Sequence, residues 1–294
     1  MDLYSVRNDH LQVVVAPHGA EIQSIKDFRT QTEYLWQGDP RYWADRSPLL
    51  FPIIGRIRNG VYSYEGKTYS MEMPHGFLQS RDFQPTSIAA DRIALQTTST
   101  PETLLQYPFA FRFTVEYRLV GASLEFLFQI ENKDERPTMP FSLGTHPGFR
   151  VPLADDEKFE DYRLMFEHEE HPQRVELDGV FLARKASAFT LQSNRFLPLC
   201  HRLFDHEAII LGEIQKKSVS LIDPAGTVRW TLHFDDFDYL TLWQPADAPF
   251  VCLECWNGLP DPAESETNEL ARKPGGKTLA SGETARFSLR ISFP

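Results

Sequence analysis

The feature that most constrains this chain is a period of two in its hydrophobic pattern. Phe111, Phe113, Val115, Tyr117 and Leu119 alternate with Arg112, Thr114, Glu116 and Arg118. Beyond Gly121 the pattern resumes, with Leu124, Phe126, Phe128 and Ile130 at every second position. Side chains return to one face of a strand every two residues, so two such runs around a short glycine-containing break predict a β-hairpin. Strands are also expected at Leu11–Val15, Val61–Tyr64, Lys67–Met71, Arg92–Thr98, Ser218–Ile222, Val228–Phe234, Leu240–Trp243, Phe250–Glu254 and Ala285–Phe293. Turn pairs such as Asn59-Gly60, Glu65-Gly66 and Ser281-Gly282 punctuate them. Only Pro101–Tyr107 and Asp39–Asp45 offer a turn or two of helix, and neither carries a long amphipathic stripe. Many short strands with Gly and Pro in the turns predict an all-β sandwich or barrel. The polar stretches Asp155–Glu160 and Pro260–Gly276 are flanked by strand-like sequence and read as surface loops. Residues 1–294 are therefore expected to form a single large domain.

With 41% hydrophobic and 13% aromatic residues over 294 positions, the chain has material for a sizeable core. No run approaches the roughly 18–20 apolar residues of a membrane-spanning helix. The opening Met1-Asp2-Leu3-Tyr4-Ser5-Val6-Arg7-Asn8 lacks the cationic head and apolar run of a signal peptide. Cys200, Cys252 and Cys255 are too few for a disulfide scaffold and suit a reducing compartment, so a cytoplasmic location is expected. The 41 acidic residues outnumber 30 basic ones, for a net charge of −11. Such a surface repels nucleic acid and anionic membrane, because both are held largely by basic footprints. A neutral, hydroxyl-rich small molecule suits it better.

Several polar clusters interrupt the β pattern. Arg56 follows the apolar Phe51–Ile54 run and Gly55, and reads either as a cleft residue whose planar fork binds hydroxyls or as a surface arginine beside a turn. His75 and His146 each sit among turn-forming residues just before a phenylalanine; each is either a proton-transfer group or a satisfied loop histidine. Glu254 ends an apolar run and precedes Trp256 by two residues. It reads as a desolvated general base or as a strand-end carboxylate paired with an arginine. Cys252 and Cys255 have C-x-x-C spacing, but a redox dithiol belongs at a helix start, and a zinc site would need further ligands that only Cys200-His201 offers. No metal is expected. No phosphate-cradling Gly-rich loop and no G-x-S-x-G elbow is present.

Taken in order, these segments resemble the aldose 1-epimerase (galactose mutarotase-like) family, whose members share a large β-supersandwich. The resemblance rests on Arg56-Ile57-Arg58-Asn59-Gly60, Pro74-His75-Gly76-Phe77, Thr145-His146-Pro147-Gly148-Phe149, Phe204-Asp205-His206 and Cys252–Asp261, and spans nearly the whole chain. It is strongest toward the shorter, less characterised bacterial members. It implies Glu254 as general base, His146 as general acid, and His75, Arg56 and Asp205 as ligands for sugar oxygens, with Trp243 and Trp256 either stacked on a pyranose face or part of the core. It implies interconversion of the α and β anomers of a free hexose by ring opening, without a cofactor. Cys255 stands where the family often has proline, and Gln79 where an arginine often follows the first histidine motif. The rival readings are a hexose-6-phosphate 1-epimerase using Arg56, Arg58 and Arg81 as a phosphate clamp, a non-catalytic sugar-binding protein, and a glycosidase pairing Glu254 with Asp205 or Asp261.

Overall fold

The computed structural model describes residues 3–135, 138–265 and 267–294. The alternating hairpin forms as the strands Phe111–Val120 and Ser123–Asn132, paired antiparallel over their whole length from Ser123 opposite Val120 to Asn132 opposite Phe111. Burial alternates along both strands, with Phe111, Phe113, Val115, Tyr117 and Leu119 and then Leu124, Phe126, Phe128 and Ile130 buried and the positions between them half-exposed. This hairpin lies inside a nine-stranded antiparallel sheet that runs from Phe196–Pro198 at one edge to Gln84–Ile88 at the other. A second, eight-stranded sheet contains Phe181–Ala188, Gln173–Asp178, Ile209–Gly212, Tyr239–Trp243, Phe250–Asn257, Leu143–Thr145 and Leu49–Leu50, with Gly148–Arg150 also paired to Phe250–Asn257. The strands Tyr4–Arg7, Leu11–Val15 and Ile22–Asp27 form a smaller sheet of their own.

One continuous core joins the two large sheets. Phe113, Val115, Phe126, Leu221 and Leu232 of the nine-stranded sheet share it with Leu211, Leu240, Leu242, Val251 and Leu253 of the eight-stranded one. Phe149 stacks on Trp230 across the interface, with ring centroids 4.3 Å apart. The fold is therefore all-β, with helix confined to short pieces such as Pro101–Gln106, which Thr100 caps. Asp39–Asp45 is only a turn, closed by the Tyr42 and Trp43 amides donating to the Asp39 carbonyl. Because one face of the eight-stranded sheet is spent on the core, its other face is free to floor a cleft.

Candidate active site

The strand Phe250–Asn257 is buried at every position. Its two faces nonetheless differ. Val251, Leu253 and Cys255 point into the core between the sheets, while Phe250 and Cys252 belong to a cluster with Trp36, and Trp256 to another with Leu50 and Ile54. Alternation therefore aims Glu254 away from the core, on the face of Cys252 and Trp256. The same alternation places Cys252 and Cys255 on opposite faces. All three cysteines are free, and the C-x-x-C spacing makes no dithiol.

The second histidine motif is folded around this strand. Gly144 pairs with Trp256 and Gly148 with Cys252, so His146, midway between them, comes opposite Glu254. Its amide donates to the Pro48 carbonyl, which pins the loop. The glycines of the motif answer to packing. A Cβ at Gly144 would lie 2.8 Å from Ile54 and 2.9 Å from the Trp256 ring, and one at Gly148 3.2 Å from the Trp43 ring. His146 Nε2 ends 3.3 Å from Glu254 Oε1. The other carboxylate oxygen, Oε2, accepts a hydrogen bond from the Trp256 indole N–H at 3.1 Å.

His75 is held by the backbone of the arginine segment. It adopts a left-handed conformation (φ 62°), its amide donates to the Gly55 carbonyl, and its Nδ1 accepts from the Gly55 amide at 3.1 Å. An imidazole nitrogen that accepts carries no proton, so the neutral ring holds its proton on Nε2 and presents a fixed donor there. Burial and then the nearby Arg56 charge push its pKa down to about 4, which keeps the ring neutral. His75 meets His146 edge-on, with centroids 5.6 Å apart.

These groups line one cleft of about 410 Å³, together with Arg56, Trp43, Trp243 and Trp256. Arg56 is exposed, its carbonyl accepts from the Asp261 amide, and its guanidinium makes no hydrogen bond among the described residues. Trp43 and Trp243 flank the His146 ring, with centroids at 4.8 and 5.5 Å. Trp256 is 4% exposed, and its indole orients Glu254 as well as walling the cleft. Burial drives the Glu254 pKa well above the ordinary carboxyl range, partly offset by the Trp256 hydrogen bond. The same burial, and then His75, drives that of His146 well below the ordinary imidazole range.

Asp205 does not join them. It lies exposed at the end of the turn His201–Phe204, outside the cleft lining, while Glu207 and Ala208 a few residues on do line it. The structure thus brings the segment to the cleft at Glu207 and Ala208 rather than at Asp205, and a short turn gives no periodicity from which to tell which side chain faces inward. Trp43, Asp45 and Glu207 were missed altogether: none sits on a patterned element. Among the described residues the set with metal-ligating potential is His146, Cys252 and Glu254, whose donor atoms lie within 4.8 Å of one another, rather than Cys200 with Cys252 and Cys255.

Residues 2–292 match the family model described as aldose 1-epimerase. The protein named LacX, chromosomal, of Lactococcus lactis subsp. lactis is 33% identical over 296 residues, 98% of each chain. A galactose mutarotase related enzyme from Lactobacillus acidophilus superposes with a TM-score of 0.94 at 31% identity, covering 100% of this chain and 97% of that one. A galactose mutarotase-like protein from Lactobacillus casei ATCC 334 gives 0.92 at 32% identity, with 100% of both chains covered. Matched along its length in sequence and in fold, the chain belongs to the aldose 1-epimerase family.

Proposed function

We propose that this protein is an aldose 1-epimerase that interconverts the α and β anomers of an uncharged aldose, with Glu254 and His146 as its proton-transfer pair. The observation that carries this reading is the 3.3 Å approach of His146 Nε2 to Glu254 Oε1 at the wall of an open, tryptophan-lined cleft. Opening a cyclic hemiacetal requires a base on the C1 hydroxyl and an acid on the ring oxygen, two atoms bonded to the same carbon. Groups this close reach both. Glu254 takes the hydroxyl proton while His146, protonated, supplies one to the ring oxygen. Rotation about C1–C2 turns the aldehyde, and the pair closes the ring on the other face with roles reversed.

The environment tunes each group for its part. A carboxylate with a raised pKa is a stronger base, and an imidazolium with a lowered pKa is a stronger acid. The pair begins and ends with one proton between its members, so its titration belongs to both together. His75, through its Nε2–H, and Arg56 are placed to hold sugar oxygens, and Trp43 and Trp243 to offer aromatic faces to the ring. Nothing is oxidised and no group leaves, so the reaction itself calls for no cofactor.

The charges at the cleft favour a free sugar over its phosphate. Arg58 is turned to the Ser265 carbonyl and Arg81 to the Thr100 hydroxyl, and neither lines the cleft, whereas Asp45 and Glu207 do. Neither partner suggested for a glycosidase is available: Asp205 lies outside the cleft lining, and Asp261 is paired with buried Lys273. The test is exchange NMR at the anomeric protons over a panel of free aldoses and their 6-phosphates. Faster exchange with free sugars is the expected result. Exchange with the phosphates alone would replace this reading by the phosphorylated one.

A further inference from the structure

The strand that carries Glu254 continues through Gly258 and Leu259 to Pro260 and Asp261, where it meets the segment that carries Arg56. Asp261 is the joint between them. Its amide donates to the Arg56 carbonyl at 3.2 Å, and its carbonyl accepts from the Leu182 amide at 2.9 Å. Of its carboxylate oxygens, Oδ2 accepts from the Arg58 amide at 2.8 Å and Oδ1 from the Lys273 ammonium. Pro260 presses on Gly55 so closely that a Cβ there would lie 2.5 Å from Pro260 Cγ. Gly55 in turn holds His75 through both its amide and its carbonyl.

The Asp261 and Lys273 side chains are 12% and 6% exposed, and neither residue lines the cleft, although Arg56, His75 and Pro260 do. Burial pulls the Lys273 pKa below the ordinary lysine range, and the Asp261 charge opposes this. A buried ion pair is often no more stabilising than well-packed apolar side chains of the same volume. What this one supplies is direction. With one oxygen bound to Lys273, the carboxylate cannot turn its other oxygen away from the Arg58 amide, and the backbone of residues 55–58 keeps one place.

We propose that Asp261 and Lys273 are positioning residues for sugar binding, fixing Arg56 and His75 relative to the strand of Glu254 without touching the sugar themselves. This rests on the 1-epimerase reading and deepens it. Arg56 and His75 are placed to hold oxygens of either anomer, so displacing them weakens ground and transition state alike, and the loss is read in KM rather than kcat. Glu254 and His146 are set by other contacts, the Trp256 indole for one and the Pro48 carbonyl for the other.

The experiment measures anomer exchange by NMR over a range of galactose and glucose concentrations, with calorimetric titration of the same sugars and a thermal melt of each protein. It compares the native protein with Lys273→Met and with Asp261→Asn/Lys273→Met. The double variant leaves no unpaired charge, so the test stands even if the single one does not fold. Both are expected to raise KM and weaken sugar binding by about threefold to thirtyfold, the reach of residues that touch no ligand, with kcat within about threefold of native. The double variant should recover part of the Tm lost in the single one and little of the affinity. A native KM in the double variant, or a loss carried by kcat alone, would overturn the proposal and leave the pair a support of stability only, while the 1-epimerase reading stands. If the native protein binds an aldose but exchanges none, that reading fails, and the binding titrations alone decide the proposal. A native protein that neither exchanges nor binds sugar would remove both.

Discussion

Removing water from around Glu254 strengthens its hold on a proton, and the same burial weakens that of His146. The Trp256 indole works against the first of these effects by donating to the carboxylate. Trp256→Phe removes the donor and keeps most of the ring. The acid limb of the pH–rate profile is expected to move to higher pH, with kcat lowered more than sugar affinity; a profile unmoved by the change would deny Trp256 this positioning role. His75 makes a prediction about stability. Its folded-state pKa, about 4, lies below the ordinary 6.5, so the unfolded chain binds the proton more readily. The stability this contributes is present above pH 6.5 and is lost as the pH falls toward 4. Thermal melts across that window should show Tm falling with acid, and falling less steeply in His75→Gln. Equal slopes in the two proteins would show that some other group controls the acid response.

At the scale of elements, the strand Phe250–Asn257 and the broken strand opposite it set the distance between Glu254 and His146. Gly144 is the point at which that arrangement has least room. Gly144→Ala would press a methyl group against Ile54 and Trp256, and overpacking of this kind costs about 1–3 kcal/mol. The variant is expected to melt earlier and to turn over more slowly, through displacement of Trp256 from Glu254; unchanged activity would mean that the strand register alone positions the carboxylate. These elements also show what the sequence could reveal. The hairpin from Phe111 to Asn132 was legible because one face is buried and the other is not, so burial is written as alternation. Phe250–Asn257 is buried on both faces, and no alternation marks which side chains meet the cleft. Glu254 stood out there only as a carboxylate in an apolar run. Leu143–Thr145 and Gly148–Arg150 are too short to show any period, and the motif between them was readable through its residue types alone. The turn that carries Asp205 has the same want of pattern, so its place outside the cleft lining was not legible, and Trp43 sits in a turn that carries no signal.

Across the whole molecule, one sheet serves as scaffold and the other as scaffold and floor, so the site rests on strands drawn from distant parts of the chain. The net charge of −11 is expressed at the cleft as well, which Asp45 and Glu207 line along with Arg56. No helix among the described residues is long and apolar enough to cross a membrane. The proton transfer proposed for Glu254 and His146 needs no metal, so dialysis against a chelator is expected to leave turnover unchanged. Added Zn²⁺ should instead inhibit, because His146, Glu254 and Cys252 offer it nitrogen, oxygen and sulfur donors, and Cys252→Ser should weaken that inhibition. Activity lost in chelator and restored by zinc would contradict a metal-free reaction. The most direct test of the account is polarimetry on freshly dissolved sugar with the native protein and with Glu254→Gln, alongside calorimetric titration of the same sugar. Glutamine keeps the shape and the Trp256 contact but takes no proton, so kcat is expected to fall by about 10²–10⁴-fold with binding retained. Turnover close to native in Glu254→Gln would show that Glu254 is not the base.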